Sequence, residues 1–180
     1  MAKKALSIVW ILVLGWGLAA GSVWAATLKI GMVFDVGGKG DQSFNDSAYR
    51  GLQWASKLDI SHVEIEPGAD ADRETGVRML AGQGFDLVFV VVFLFNDAIK
   101  EVADDFPNTK FAIIDGFIPD KPNVSSMLFT EHEGSFLVGV IAGMKAKADG
   151  KDTVGFIGGM DVPLIHKFEA GYKAGVQYAC

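Results

Sequence analysis

The stretch that decides the fold is MVFDVGGKGDQSFNDSAYRG, from Met32 to Gly51. Its first residues are apolar and end at Asp35, and a glycine-rich turn, Gly37–Gly40, follows at once. Helix-forming sequence then begins at Ser43, whose hydroxyl we expect to cap the helix. Because open α/β sheets bind ligands beyond the carboxyl ends of their strands, this strand–turn–helix unit predicts a ligand site at the turn.

The segments after this unit alternate between short β-branched or aromatic runs and longer amphipathic runs. Leu87–Phe93 (LVFVVVF) is apolar throughout, which is typical of a central strand buried on both faces. The alternation predicts an α/β fold with a doubly wound parallel sheet and right-handed crossovers. The predicted strands are Leu28–Phe34, His62–Ile65, Leu87–Phe93, Phe111–Ile114 and Asn123–Phe129, and the predicted helices are Ser43–Leu58, Asp70–Gln83 and Asp97–Phe106.

A second lobe is predicted to begin after Phe129. A helix over Glu133–Lys147 is followed by a strand over Thr153–Gly158, then by glycine, an acid and a helix from Pro163, which repeats the opening pattern. One strand cannot form a sheet, so this lobe is expected to be incomplete. The chain thus divides into a signal peptide (1–25), an N-terminal α/β lobe (26–130) and the start of a second α/β lobe (131–180).

The first 25 residues have the pattern of a secretory signal peptide. Lys3 and Lys4 precede an almost wholly apolar run, Ala5–Ala20, and Val23-Trp24-Ala25 fits a cleavage site. An uncleaved membrane anchor is the alternative. The leader has no cysteine for lipid attachment, and the only cysteine in the chain is Cys180. We therefore expect a soluble periplasmic protein without an internal disulfide, and a monomer by default.

Charge and motif spacing exclude several kinds of partner. The formal net charge is −6, which argues against nucleic acid and anionic membranes. A phosphate-binding P-loop would need a glycine where Val33 stands and Ser or Thr where Gly40 stands, and Asp35 and Asp41 would repel a phosphate. Neither a metal site nor a cofactor is expected, since the histidines are scattered and the acids lack calcium-loop spacing.

The residue types at the predicted strand ends suit a neutral polar ring compound. Carboxylates accept hydrogen bonds from hydroxyl or ring N–H groups, and an aromatic side chain offers a stacking face. Asn45 can both donate and accept. The candidate ligand-binding residues are Asp35, Asp41, Phe44, Asn45, Phe93 and Asp115. Because no nucleophile has an obvious base nearby, the pattern predicts a protein that binds a sugar or nucleoside without a catalytic residue.

Several blocks together resemble the basic membrane protein family, the ABC-transporter substrate-binding proteins that include purine nucleoside receptors. The blocks are KIGMVFDVGG, DQSFNDSAYRGL, GFDLVFVVVFLFNDAIKEVADDFPNTKFAIID, EGSFLVGVIAGM and VGFIGGMDVPLIHKFEAGYKAGV. The resemblance implies a type I periplasmic-binding-protein fold, with two doubly wound lobes that close on a nucleoside and deliver it to an inner-membrane ABC permease. Family members continue well beyond residue 180, so the chain is expected to be truncated.

The resemblance also implies roles for single residues. Phe44 would stack on the base, and Asn45 and Asp115 would hold its polar edges. Asp35 would lie beside the ligand, and Asp41 would open the same helix. The truncated chain would bind weakly or not at all.

The alternatives are a nucleoside N-glycosidase with Asp35 and Asp41 as its acids, a solute-binding sensor domain, and a non-functional fragment.

Overall fold

The computed structural model describes residues 27–180, so the predicted signal peptide lies outside the described residues. Within that part of the chain, no helix is long and apolar enough to cross a membrane.

Five parallel strands form one sheet in the order β2-β1-β3-β4-β5, which confirms the predicted α/β architecture. The strands are β1 (Leu28–Val33), β2 (Ile60–Ile65), β3 (Leu87–Val91), β4 (Lys110–Ile114) and β5 (Val124–Met127). The helices are α1 (Phe44–Ala55), α2 (Asp72–Gly82), α3 (Asn96–Asp105), α4 (Glu131–Ala148) and α5 (Pro163–Ala179), and a 3₁₀ turn covers Phe93–Phe95.

The strand order reverses at β1, because the chain runs outward from β1 to β2 and then returns to β3 on the other side. Ile30 of β1 lies opposite His62 of β2 on one side and Leu87 of β3 on the other. Crevices form beyond the carboxyl ends of strands at such a switch point. The turn after β1 and the segments after β3 and β4 therefore meet at one edge of the sheet.

The sheet is buried on both faces. Val33, Val88 and Val90 point to one face, where they pack with α2 and α3 residues such as Val77, Leu80 and Ile99. Met32, Phe34 and Val91 point to the other face, beneath Leu52 of α1. Neighbouring residues of a strand point to opposite faces, so the continuous apolar runs of β1 and β3 are what a two-sided core requires.

Helices α4 and α5 pack closely along glycine positions. A Cβ at Gly139 would collide with the Tyr172 carbonyl oxygen, one at Gly171 with that of His132, and one at Gly175 with that of Phe136. Missing Cβ atoms let two helix backbones approach this closely. The other side of α4 is apolar but exposed at Leu137, Val138, Ile141 and Met144, and Ile141 has 68% of its surface accessible.

One predicted strand is absent from the structure, and the bounds of the others differ from the prediction by one or two residues. Thr153–Gly158 is not a strand, since the described chain offers it no neighbouring strand to satisfy its backbone groups. Strand β3 ends at Val91, two residues before the predicted end at Phe93. Val92 has φ 74°, an outlying value for a β-branched residue, and it turns the chain into the 3₁₀ segment. The division into lobes at residue 130 stays a prediction.

Candidate functional site

The cap of α1 is Asp41, not Ser43 as the sequence predicted. The Ser43 side chain makes no capping hydrogen bond. The Asp41 carboxylate accepts backbone N–H groups of Ser43 (2.8 Å), Asn45 (2.9 Å) and Asp46 (3.1 Å). Partial desolvation favours the neutral acid, but these N–H groups and Arg50 hold the pKa of Asp41 below its usual value. The carboxylate lies at the positive end of the helix dipole, where a negative charge is stabilising.

We expect Asp41→Ala to lower the free energy of unfolding by about 1–2 kcal/mol, because three backbone donors lose their acceptor. Ser43→Ala is the matched control and is expected to change it by less than about 0.5 kcal/mol. Urea unfolding of both variants checks this. Equal effects of the two substitutions would contradict the assignment of the cap.

Asn45 connects the helix start to the turn. Its side chain is buried; its Oδ1 accepts the Asp35 backbone N–H at 2.9 Å, and its Nδ2 donates to the Gly38 carbonyl at 3.0 Å. Both polar atoms of its amide are thus engaged within the protein. In this conformation Asn45 shapes the turn, and a contact with ligand stays a prediction.

Asp35 is held in an ion pair. Arg73 of α2 donates to its Oδ1 from Nε at 3.0 Å and from a terminal nitrogen at 2.7 Å. The guanidinium group also lies 5.8 Å from the centre of the Phe95 ring, within the range of a cation–π contact. Asp35 therefore ties the end of β1 to α2, and its proximity to a ligand also stays a prediction.

Lys39 contacts carboxylates and aromatic rings, which agrees with the exclusion of a phosphate loop. Its Nζ lies 2.7 Å from Glu64 and 3.1 Å from Glu66, both at the end of β2. The same nitrogen lies 4.8 Å from the centre of the Tyr49 ring. The hydrogen bonds that Lys39 donates to these two glutamates raise its pKa. Its charge is therefore compensated by the protein, and the turn is fastened to β2.

Phe44 presents an aromatic face at the sheet edge. It is 40% exposed and meets Phe129 edge to face, with ring centres 6.3 Å apart. Both rings line a cavity of about 580 Å³. The other lining residues are Ser43, Ser47, Ala48, Ile114 and Met127. An apolar cavity lined by two exposed rings can accept a flat ring compound against Phe44.

Asp115 follows β4 and has the most unusual environment of the predicted residues. Its side chain is only 7% exposed, yet among the described residues its Oδ1 has no hydrogen-bond partner. Its backbone lies in the left-handed region at φ 62°. Strained backbone and unsatisfied buried acceptors both concentrate at functional sites.

The cavity beside Asp115 has a volume of about 430 Å³. It lies between the ends of β3, β4 and β5 on one side and the start of α5 on the other. The lining residues are Phe93, Asn96, Asp115, Gly116, Phe117, Leu128, Val162, Pro163, Leu164 and Lys167. Gly116 is required here because a Cβ would lie 2.9 Å from Asn96 Oδ1 and would also collide with Ile113.

Burial and the neighbouring Glu131 carboxylate raise the pKa of Asp115 to about 6, and Lys167 opposes this rise. Lys167 Nζ lies 2.5 Å from Glu131 Oε2 and donates to the Phe129 carbonyl at 3.4 Å. Two carboxyl groups and one ammonium group thus meet at this cavity.

The structure divides the predicted residues into three groups. Phe44 lines the cavity of about 580 Å³, and Phe93 and Asp115 line the cavity of about 430 Å³. Asp35, Asp41 and Asn45 form the turn between β1 and α1. Sequence reasoning missed Asn96, Glu131 and Lys167, which come from three different helices. Their sequence signal is weak, since each reads as an ordinary polar residue in the first or second turn of its helix.

Two other features of the described residues bear on where a ligand could bind. In the 27–180 range, no group of three or more His, Cys, Asp or Glu side chains could hold a metal ion. A wider groove of about 870 Å³ crosses α4 and α5, but none of the six predicted residues lines it. The edge beyond β3, β4 and β5 therefore remains the candidate ligand site.

Comparison with known proteins gives a consistent family. The model of the Bmp family, described as ABC transporter substrate-binding protein PnrA-like, matches residues 28–179. An uncharacterised lipoprotein of Pyrococcus horikoshii is 38% identical over 98% of this chain and 46% of its own length. The ABC transporter nucleoside-binding protein BmpA of Lactococcus lactis subsp. cremoris is 36% identical over 83% of this chain and 43% of its own.

A solved structure of an ABC transporter solute-binding protein from Aeropyrum pernix K1 superposes with a TM-score of 0.74. It is 37% identical, and the match covers 84% of this chain and 43% of that one. The type I periplasmic-binding-protein fold is thereby confirmed, and the chain spans about half the length of the relatives it matches. The chain belongs to the Bmp family of PnrA-like ABC-transporter substrate-binding proteins.

Proposed function

We propose that this chain is the ligand-binding part of a periplasmic substrate-binding protein that captures a nucleoside, with a preference for purines, for an inner-membrane ABC permease. The observation that carries the proposal is the buried Asp115 carboxylate, whose Oδ1 has no hydrogen-bond partner among the described residues, at the sheet edge where Phe44 exposes its ring. An acceptor and a stacking face at one edge suit a base that donates N–H groups.

The charges at the edge support a neutral ligand over an anion. Lys39 and Arg73 are paired with carboxylates, and Lys167 contacts Glu131. These three cations are therefore already engaged by carboxylates of the protein. Nucleosides are therefore favoured over nucleotides.

We infer localisation and partners from the family. Relatives from three Pyrococcus species are named lipoproteins. Our expectation of a product without a lipid anchor differs from those names. We propose export to the periplasm, delivery to a permease and a monomeric state.

The proposal is tested by titrating the 180-residue chain with inosine, guanosine, adenosine, uridine and the matching monophosphates, followed by ¹H–¹⁵N NMR. We expect weak binding of purine nucleosides, because one lobe buries less of a ligand than the ~70–90% of a closed site. A protein extended to the length of the relatives should bind them tightly. Failure of the extended protein to bind any nucleoside would overturn the proposal, and release of free base would favour the hydrolase.

Phe44→Ala is expected to weaken purine nucleoside binding about 5- to 100-fold, since stacking on an aromatic ring contributes about 1–3 kcal/mol per base. Trp54→Ala is the matched control, because Trp54 is an exposed aromatic residue on the same helix outside both cavities. The NMR titrations give both affinities. Unchanged affinity in Phe44→Ala would show that the base does not stack there.

A further inference from the structure

Three charged side chains from separate elements lie together at the Asp115 cavity: Asp115 and Lys167 line it, and Glu131 contacts Lys167 beside it. Asp115 follows β4, Glu131 is the first residue of α4, and Lys167 lies in the second turn of α5. The Glu131 side chain is 5% exposed and that of Lys167 41%. Lys167 therefore reaches from the open side of the cavity to a buried pair of acids.

The contacts of Lys167 fix its ammonium group in place. It lies 2.5 Å from Glu131 Oε2 and donates to the Phe129 carbonyl at 3.4 Å, so it spans from α5 to the end of β5 and the start of α4. It is the one cation among the lining residues of the Asp115 cavity. Two buried carboxylates beside one ammonium group leave one negative charge that the described protein does not compensate.

We propose that Lys167 is a positioning residue of the ligand site: its ammonium group keeps Asp115 and Glu131 ionised, so that Asp115 accepts hydrogen bonds from a ligand and capture weakens as pH falls. The ligand part of this inference rests on the proposed function. The charge coupling itself concerns only the protein.

The groups that face Asp115 come from three elements. Asn96 of α3 is neutral, Glu131 of α4 is acidic and Lys167 of α5 is basic. Burial favours the neutral form of Glu131, yet the hydrogen bond from Lys167 and nearby backbone groups hold its pKa below the usual value. Burial and Glu131 push the pKa of Asp115 up to about 6, against Lys167. Without Lys167 both acids would hold their protons to higher pH.

The direct test is a ¹³C NMR titration of the Asp115 and Glu131 carboxyl carbons in the full chain and its variants. We expect Lys167→Met to raise the Asp115 midpoint by about one pH unit or more, as loss of a neighbouring opposite charge does. Lys167→Arg should keep the midpoint of the wild type, because the charge is kept. Lys173→Met is the matched control: it removes a lysine of the same helix that pairs with Glu169, and it should leave the midpoint unchanged.

Glu131→Gln should shift the Asp115 midpoint in the opposite direction. It keeps the test valid if circular dichroism shows that Lys167→Met does not fold. Removal of the acid frees Lys167 for Asp115, so the Asp115 midpoint should fall. An Asp115 midpoint that moves in neither variant, or that Lys167→Arg fails to keep, overturns the inference.

A ligand measurement separates this inference from the proposed function. Guanosine affinity of the wild type should fall as pH drops through about 6, and in Lys167→Met the fall should begin at higher pH. Shifted carboxyl midpoints without any nucleoside binding would support the charge coupling and overturn the proposed function. Nucleoside binding with unshifted carboxyl midpoints would support the proposed function and overturn the charge coupling.

Discussion

Asp115→Asn is expected to make the chain more stable at pH 8 while it weakens nucleoside binding. The pKa of Asp115 is raised to about 6 in the folded protein, from 3.8 as its ordinary value. The stabilising contribution of such a group is fully present below pH ~4 and is lost as pH rises through about 6. At pH 8 the wild type carries a buried, ionised carboxylate that asparagine would replace with a neutral amide of the same shape.

The expected gain in the free energy of unfolding at pH 8 is about 1–3 kcal/mol, and it should shrink towards zero near pH 4. Asparagine also tolerates the left-handed backbone at this position, where φ is 62°. Binding should fall about 10- to 100-fold, the usual effect of losing a hydrogen bond to a charged acceptor.

Urea unfolding from pH 4 to pH 8 measures the stability, and the NMR titrations measure binding. Asp97→Asn is the control, since Asp97 is an exposed acid outside the Asp115 cavity and its replacement should change stability by less than about 0.5 kcal/mol. A stability difference for Asp115→Asn that does not vary with pH would contradict the buried ionised state.

Gly175→Ala is expected to destabilise the α4–α5 pair by about 2–3 kcal/mol. A Cβ at Gly175 would collide with the Phe136 carbonyl and would lie 2.8 Å from the Val140 backbone nitrogen. Backbone atoms of a neighbouring helix cannot rotate away as a flexible side chain can, so the helices must separate along their length. That separation would also move Lys167 away from Glu131.

Gly134→Ala is the matched control on α4, because no atom lies within 4 Å of a Cβ built there. Alanine in an open helix position should stabilise by about 0.5–1 kcal/mol. Thermal unfolding of both variants gives the comparison. Equal small effects would show that α4 and α5 do not approach each other this closely in solution.

Much of the fold could be predicted from short-range pattern. The apolar run of Leu87–Val91 and its neighbours is explained by burial on both sheet faces, and the structure confirms the five parallel strands. Thr153–Gly158 has equally good strand composition and is not a strand. The difference lies in the partner: a strand is stabilised by a neighbouring strand that its own residues do not specify.

The candidate site shows the same limit more sharply. The glycines and acids of Asp35–Asp41 correctly predicted a turn at the sheet edge. The sequence did not reveal which polar groups there form hydrogen bonds or ion pairs within the protein. Arg73 comes from α2, and Glu131 and Lys167 come from helices that follow the sheet. Only their tertiary arrangement decides that Asp35 is ion-paired and that buried Asp115 has an Oδ1 without a hydrogen-bond partner in the part of the chain that the structure describes.

By itself, therefore, the sequence determined the parallel sheet, the glycine-rich turn at one edge of it and, through its family blocks, the class of protein. The tertiary structure decided the state of each group at that edge: Asp41 caps α1, Asn45 and Lys39 fasten the turn, and Asp115 Oδ1 has no hydrogen-bond partner within residues 27–180. The physical reason is distance. Apolar periodicity acts on residues a few positions apart, whereas ionisation and hydrogen bonding depend on groups that folding brings together from far along the chain.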